Sequence, residues 1–492
     1  MPRTDRGSTA RDEAFSLAFT RHMRWQNGML TRLSSMSASN PASSSPARLP
    51  RFLVLRPGDK YTVCDATGMA DVRAHCYRGA PPRGMQQPDG AHWDAYMLAG
   101  RRKGKMTRPI PGFGNVALSL VAAAATAIVS RRVLLLENFT SAGESFGSPL
   151  RDLLVETSGW MPHLRRASSQ AALPARPTVD AVRNQGRSAS ISAVADGFAA
   201  HDDFSAFRVM CAGDLRRTPS ARVWRIFSNQ YFLPLLLLNP HHSMQMEAMA
   251  EPLEGGGGGE SEGGADGAAA SVPSLWTPGL RALWRPSPRL AARLATYTRK
   301  AALDTERYVA MHVRVNFADQ RDGQQKLARA VACARSRLTA ANASRLFLAT
   351  MYASNRKALS SALGPLGVQV HWFGRAMEAQ AESTAASDSA LADMLLMGGA
   401  HEVLVTPGST FGYVVQGLTG RRATIYGGTH TSRDLVGPAQ TDCSAVATPE
   451  PNFHFLRHAI NRYDECRRGA REAEKRGSTV YRLSAMKHRR RR

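Results

Sequence analysis

The second half of this chain alternates strand-like and helical segments with short joints, and few architectures can accommodate that order. Helical patterns lie at Ala292–Leu303, Lys326–Leu338, Asn355–Gly364, Ser389–Ala400 and Thr410–Gly420. Between and after them come apolar runs at Tyr308–Val313, Arg345–Thr350, Val368–Phe373, Glu402–Thr406 and Arg422–Gly427. Strict alternation of this kind specifies a parallel sheet covered by helices, a Rossmann-like doubly wound α/β domain. No G-x-G-x-x-G follows the first strand, so a dinucleotide cofactor is not indicated.

The first half repeats the theme less regularly. Arg51–Leu55 reads as a strand. Gly112-Phe113-Gly114-Asn115 opens a helix, and Val133–Leu136 is a continuous apolar strand. Val116–Val129 is the longest apolar stretch and falls short of the ~20 residues that a membrane span needs. It reads as a buried helix. Tyr231–Pro240 fits a buried strand or a short helix, and the segment near 172–200 reads as an insertion.

Glu254–Ser271 is so rich in glycine that it cannot bury a core, and it divides the chain. The expected organisation is a disordered segment over 1–50, a first domain over 51–253, a linker over 254–272, a second domain over 273–466 and a basic tail over 467–492. No signal or transmembrane segment is expected in the N-terminal stretch.

Charge narrows the possible partners. The chain carries 64 Lys+Arg against 39 Asp+Glu, a net +25, which favours anionic ligands. The arginines are scattered, and only Lys487–Arg492 is dense. No zinc-finger spacing or stacking motif is visible, so nucleic acid is not the expected partner. The six cysteines form no metal-ligand cluster, which argues against a metal site. Their even number allows disulfides without specifying pairs.

Three places carry candidate chemistry. Thr406, Ser409, Thr410 and Phe411 follow a buried strand and begin a helix. Free N–H groups and the helix dipole at such a point favour phosphate. His312 and Arg314 stand at the end of Tyr308–Val313, and residues two apart on a strand share a face. The guanidinium suits a diphosphate, and the imidazole suits a general base. Gly112, Gly114 and Asn115 let a backbone approach a ligand closely and offer an amide to a sugar hydroxyl. Asp393, on the Ser389–Ala400 helix, is a candidate nucleotide contact, and Asp319 and Asp393 are secondary candidates for a base.

Several of these segments resemble a known family. Ser409–Gly420, "STFGYVVQGLTG", looks like the signature of the plant xyloglucan-type fucosyltransferases, close to STFGYVAQGLGG. Ser389–Thr406, Tyr308–Val315, Asn229–Pro240 and Gly112–Asn138 resemble further family segments, in order, over roughly 50–466. The resemblance implies a GT-B-like fold, with two Rossmann-like doubly wound domains facing a cleft. It implies GDP-fucose in the C-terminal domain, a glycan acceptor mainly on the N-terminal one, inverting transfer, neither a cofactor nor a metal, and a Golgi location in cell wall or glycoprotein biosynthesis. Catalytic roles would fall to Arg314 and His312, and donor binding to Gly112, Gly114, Asn115, Asp393, Thr406, Ser409, Thr410 and Phe411. A catalytically silent glycan- or nucleotide-binding protein is the alternative. The chain departs from the family pattern at His312, where Gln is frequent. It departs also at Gly408, where Trp is usual, at Val116, where Arg is common, and at Asn452, where a cysteine is typical.

Overall fold

The computed structural model describes residues 12–39, 50–57, 113–136, 144–154, 159–160, 162–164, 191–193, 205–217, 223–228, 231–252, 273–319, 322–374, 384–406, 409–426, 443–445, 451 and 464–475. Gly112 and the 254–272 linker lie outside them, as does the 172–200 segment apart from 191–193.

The chain begins with α1 (Asp12–Ser39), β1 (Phe52–Pro57), α2 (Phe113–Ser130) and β2 (Val133–Leu136). There follow β3 (Ile191–Ala193), α3 (Ser205–Ala212), β4 (Val223–Ser228), α4 (Leu233–Leu237) and α5 (Ser243–Met249). The first sheet is wholly parallel, in the order β2-β1-β4-β3. Helix α2 is long and apolar enough to cross a membrane by length and composition, yet 89% of it is buried inside the protein. It is the core of this half. Of the two readings for Tyr231–Pro240, the short helix is the one found, with Pro234 in its first turn, where no N–H is required.

The 1–50 segment is not wholly disordered: α1 runs for 28 residues and packs on α2, on α5 and on the Trp276–Leu283 helix. Phe15, Phe19, His22, Met23, Gln26 and Leu33 are buried at helical spacing. Gln26 reaches the edge strand, donating to the Leu134 carbonyl at 3.2 Å and accepting from the Leu134 N–H at 3.0 Å. It thereby satisfies an edge that the sheet leaves open. Two polar residues, His22 and Gln26, interrupt the apolar stripe and hide the helix in the sequence.

A short antiparallel pair, β5 (Glu251–Pro252) with β6 (Pro273–Ser274), precedes α6 (Trp276–Leu283) and α7 (Pro288–Lys300). The second half continues with β7 (Tyr308–Val313), α8 (Gly323–Ala340), β8 (Arg345–Thr350), α9 (Ala353–Leu363) and β9 (Gln369–His371). Then come α10 (Thr384–Gly398), β10 (Glu402–Val405), α11 (Thr410–Thr419), β11 (Thr424–Ile425), β12 (Ser444–Ala445) and α12 (Asp464–Lys475). The sheet order is β12-β11-β10-β7-β8-β9, parallel except at β12. Counted from β7, this is the 3-2-1-4-5 order of a doubly wound nucleotide-binding sheet, with its switch point between β7 and β10. Two parallel α/β sheets in one chain agree with the GT-B-like class.

The tail differs from expectation at its start. Residues 464–475 form α12, which turns back onto the first half, where Cys466 is disulfide-bonded to Cys211 of α3. A Cβ on Gly469 would stand 2.4 Å from the Leu238 carbonyl oxygen, so only glycine fits this approach. The second disulfide joins Cys333 of α8 to Cys443. Between the halves, the 145–147 segment pairs with 285–287. Ser287 N–H donates to the Ser145 carbonyl at 2.8 Å, and Gly147 N–H to the Arg285 carbonyl at 3.0 Å. At that seam Asp388 is buried and accepts from Ser145 Oγ at 2.8 Å, from Arg289 at 2.7 and 2.9 Å, and from Arg293 at 2.9 Å.

Candidate active site at the ends of β7 and β10

The switch point is where a doubly wound sheet opens a crevice, and the candidate residues gather there. In the β7–β10 register, Val405 stands opposite His312. The chain leaves β7 at Arg314 and β10 at Thr406. Arg314 is exposed, and its Nη1 lies 3.2 Å from Met351 Sδ, just past β8. A thioether is a weak acceptor, so the guanidinium remains able to take an anion. The loop that follows is held firmly. Asn355 accepts from Phe317 N–H at 3.1 Å and donates to the Val315 carbonyl at 2.7 Å, while Asn316 accepts from Ser354 Oγ at 2.8 Å.

His312 does not share its surroundings with Arg314, as the two-residue spacing suggested. Its ring is buried and stacks on Phe411, with centroids 4.5 Å apart and an interplanar angle of 12°. Burial, reinforced by the Arg314 charge, lowers its pKa to about 3. The imidazole is therefore neutral at neutral pH and a weak proton acceptor, which counts against the general-base role. Phe411 is a packing partner of this ring.

Thr406 also differs from expectation. Its hydroxyl lies 3.0 Å from the His312 carbonyl, 2.9 Å from the Tyr426 hydroxyl and 3.0 Å from the Arg314 N–H, which donates to it. It is engaged by the protein and not directed at a ligand.

The start of α11 has a different character. Ser409 occupies the N-cap position, and its own side chain makes no capping hydrogen bond. The first N–H groups of the helix are thus not taken up by the N-cap hydroxyl. The glycines of this motif have packing reasons. A Cβ on Gly412 would stand 3.1 Å from Val405 Cβ, and one on Gly417 would stand 2.4 Å from Leu280 and 2.5 Å from Trp276 Nε1. The helix is pressed between β10 and α6, and Trp276 Nε1 donates to the Tyr413 carbonyl at 2.8 Å.

The start of α2 meets this same point. A Cβ on Gly114 would lie 2.5 Å from the Thr410 carbonyl carbon, 2.6 Å from Phe411 N and 2.6 Å from Thr410 Oγ1. Two helix N-termini, one from each half of the chain, thus touch at Gly114 and Thr410. Asn115 is half-buried one residue further along α2. Each N-terminus carries roughly +0.5 of a charge, so their meeting favours an anion, and Arg314, whose main-chain N–H is bonded to Thr406, adds a full charge at the same edge of the sheet.

Asp393 sits deeper, on α10. Its Oδ1 is buried with no hydrogen-bond partner, and burial raises its pKa well above the usual carboxylate range, opposed by the Arg356 charge. Arg356 donates to the Gly374 carbonyl at 3.1 Å and lies 5.5 Å from the Trp372 ring centroid. The Tyr297 hydroxyl is likewise buried and unpartnered. Asp393 and this hydroxyl are hydrogen-bonding groups left over by the fold near β8. Arg356 and Tyr426 escaped sequence reading. The stripe Arg356, Leu359, Leu363 is the one signal that would have exposed the arginine as buried.

Residues 354–464 match the family model described as Xyloglucan fucosyltransferase, a segment that holds Asp393, Thr406, Ser409–Phe411 and Tyr426. Among solved structures the chain is similar to an Arabidopsis thaliana FUT1 mutant in complex with GDP, at 18% identity, covering 69% of this chain and 72% of that one, with a TM-score of 0.48. It is similar also to NodZ α-1,6-fucosyltransferase soaked with GDP-fucose, at 15% identity over 64% of this chain and 91% of that one, TM-score 0.37. For apo POFUT1 the identity is 16%, over 32% of this chain and 52% of that one, TM-score 0.24. No curated protein matches. Residues 354–464 therefore resemble the xyloglucan fucosyltransferase family.

Proposed function

We propose that this protein transfers L-fucose from GDP-fucose to a glycan hydroxyl, with inversion and without a metal ion. The galactose of a cell-wall or glycoprotein polysaccharide is the acceptor we favour. The observation that carries this reading is the contact between the start of α11 and the start of α2, at the sheet edge where the Arg314 N–H is bonded to Thr406.

In this reading the C1–O bond to the β-phosphate breaks and its electron pair stays on GDP. The acceptor oxygen attacks C1 from the opposite face and gives up its proton to solvent water. Arg314 and the N–H groups at Ser409–Phe411 oppose the charge that grows on the diphosphate. A preorganised donor of this kind contributes ~2.7–4 kcal/mol to a transition state where one has been removed. Asp393 and Tyr297 supply hydrogen bonds to the nucleoside, and Gly114 and Asn115 border the sugar. His312 acts by packing Phe411, because a base with a pKa about 3 is mismatched to neutral pH. The two disulfides suit an oxidising compartment, which supports a location in the Golgi lumen.

The test is transfer from radiolabelled GDP-fucose to a panel of galactose-terminated xyloglucan and glycoprotein oligosaccharides. The unmodified chain labels at least one acceptor, and Arg314→Ala labels none while keeping its melting temperature. Equal labelling by both overturns the reading. GDP binding without transfer to any acceptor favours the silent-binder alternative.

A further inference from the structure

Arg314 is useful to an anion only if its main chain is held still, because the residue lies just past the last strand position. Three strands contribute to that restraint through two hydroxyl groups. Of the proton orders that the hydrogen-bond distances allow, one uses the shortest contact. Tyr426, at the end of β11, donates to the His312 carbonyl at 2.6 Å. The Thr406 hydroxyl, past β10, then donates to the Tyr426 oxygen at 2.9 Å and accepts from the Arg314 N–H at 3.0 Å. The His312 carbonyl also accepts from the Thr406 N–H at 3.2 Å. No hydroxyl proton is left over, and the main chain on both sides of Val313 is fixed to β10 and β11. Tyr426 is buried, which shields these bonds from water.

We propose that Thr406 and Tyr426 are positioning residues for Arg314, setting the guanidinium against the donor diphosphate without touching the substrate themselves. This rests on the glycosyltransferase reading above. It also explains why the position just past β10 carries a threonine: valine has the same shape and lacks the oxygen that the Arg314 N–H needs. Tyr426→Phe is expected to have the smaller effect, because the Thr406 hydroxyl can then turn to the His312 carbonyl, already 3.0 Å away.

The experiment is a double-mutant cycle read by GDP calorimetry and by initial transfer rates. Thr406→Val weakens GDP binding and lowers kcat about tenfold, with a smaller change in KM for the acceptor. Thr406→Ser restores both. In an Arg314→Ala background, Thr406→Val changes GDP affinity less than twofold, because the hydroxyl acts through the arginine. If Thr406→Val binds GDP as the unmodified chain does, or weakens binding equally in both backgrounds, the positioning role is wrong while the fucosyl-transfer reading survives. If the unmodified chain does not bind GDP, both fall together.

Discussion

Gly114 is a tight point of contact between the two halves. Replacing it with alanine places a methyl 2.5 Å from the Thr410 carbonyl carbon and 2.6 Å from Phe411 N, about 0.9 Å closer than the 3.4 Å at which ordinary contact begins. Both neighbours are main-chain atoms at the start of α11, so no rotamer change relieves them. The helices must separate by most of an ångström. Overpacking of this kind costs ~1–3 kcal/mol. The gain in helix propensity from Gly to Ala is ~1 kcal/mol at most, so strain wins by up to about 2 kcal/mol. The functional cost is larger, since a displacement near 1 Å in a reacting geometry can cost about 10²-fold in rate. Gly114→Ala is therefore expected to lower the urea midpoint modestly and transfer by about a hundredfold. Gly28→Ala is the control: nothing lies within 4 Å of a Cβ in that helix, and the change is expected to stabilise by ~0.5–1 kcal/mol. Unchanged stability and unchanged transfer in Gly114→Ala would refute the contact between the two helix starts.

Other consequences are open to measurement. His22 is buried and its pKa is lowered to about 4 by desolvation. The unfolded chain takes up that proton below about 6.5 while the folded chain does not, so stability is full above that pH and falls as pH drops toward 4. A melting-temperature series from pH 7 to 4.5 should slope less steeply for His22→Gln, by up to ~2–3 kcal/mol of stability; parallel slopes would contradict the buried neutral ring. Asp388→Asn removes the charge shared by Arg289, Arg293 and Ser145 at the seam. Both arginines are half-exposed, so a loss of ~1–3 kcal/mol in urea denaturation is expected, below the 3–5 kcal/mol of a fully buried pair; an unchanged midpoint would show that the seam does not depend on it.

The parts of the fold legible in the sequence are those where one physical rule acts alone. Tyr308–Val313 and Arg345–Thr350 are mainly apolar runs between helical patterns, and they are β7 and β8 residue for residue. The site was partly legible for the same reason: a strand that ends in Thr-Pro-Gly-Ser-Thr must turn at the sheet edge, where helix starts gather. What stayed hidden depends on partners remote in sequence. Thr406 looks like a ligand contact until Tyr426 and Arg314 N–H are seen to occupy its oxygen. His312 looks like a base until Phe411 covers it. Helix α1 was obscured because His22 and Gln26 lie on its buried face, and Gln26 is there for the backbone of Leu134.

The central claim is that Arg314 and the start of α11 hold the diphosphate of the donor. Isothermal titration of GDP into the unmodified chain and into Arg314→Ala tests it most directly. The account predicts saturable binding to the first and at least tenfold weaker binding to the second, at equal melting temperature. Equal affinity in the two proteins would contradict it.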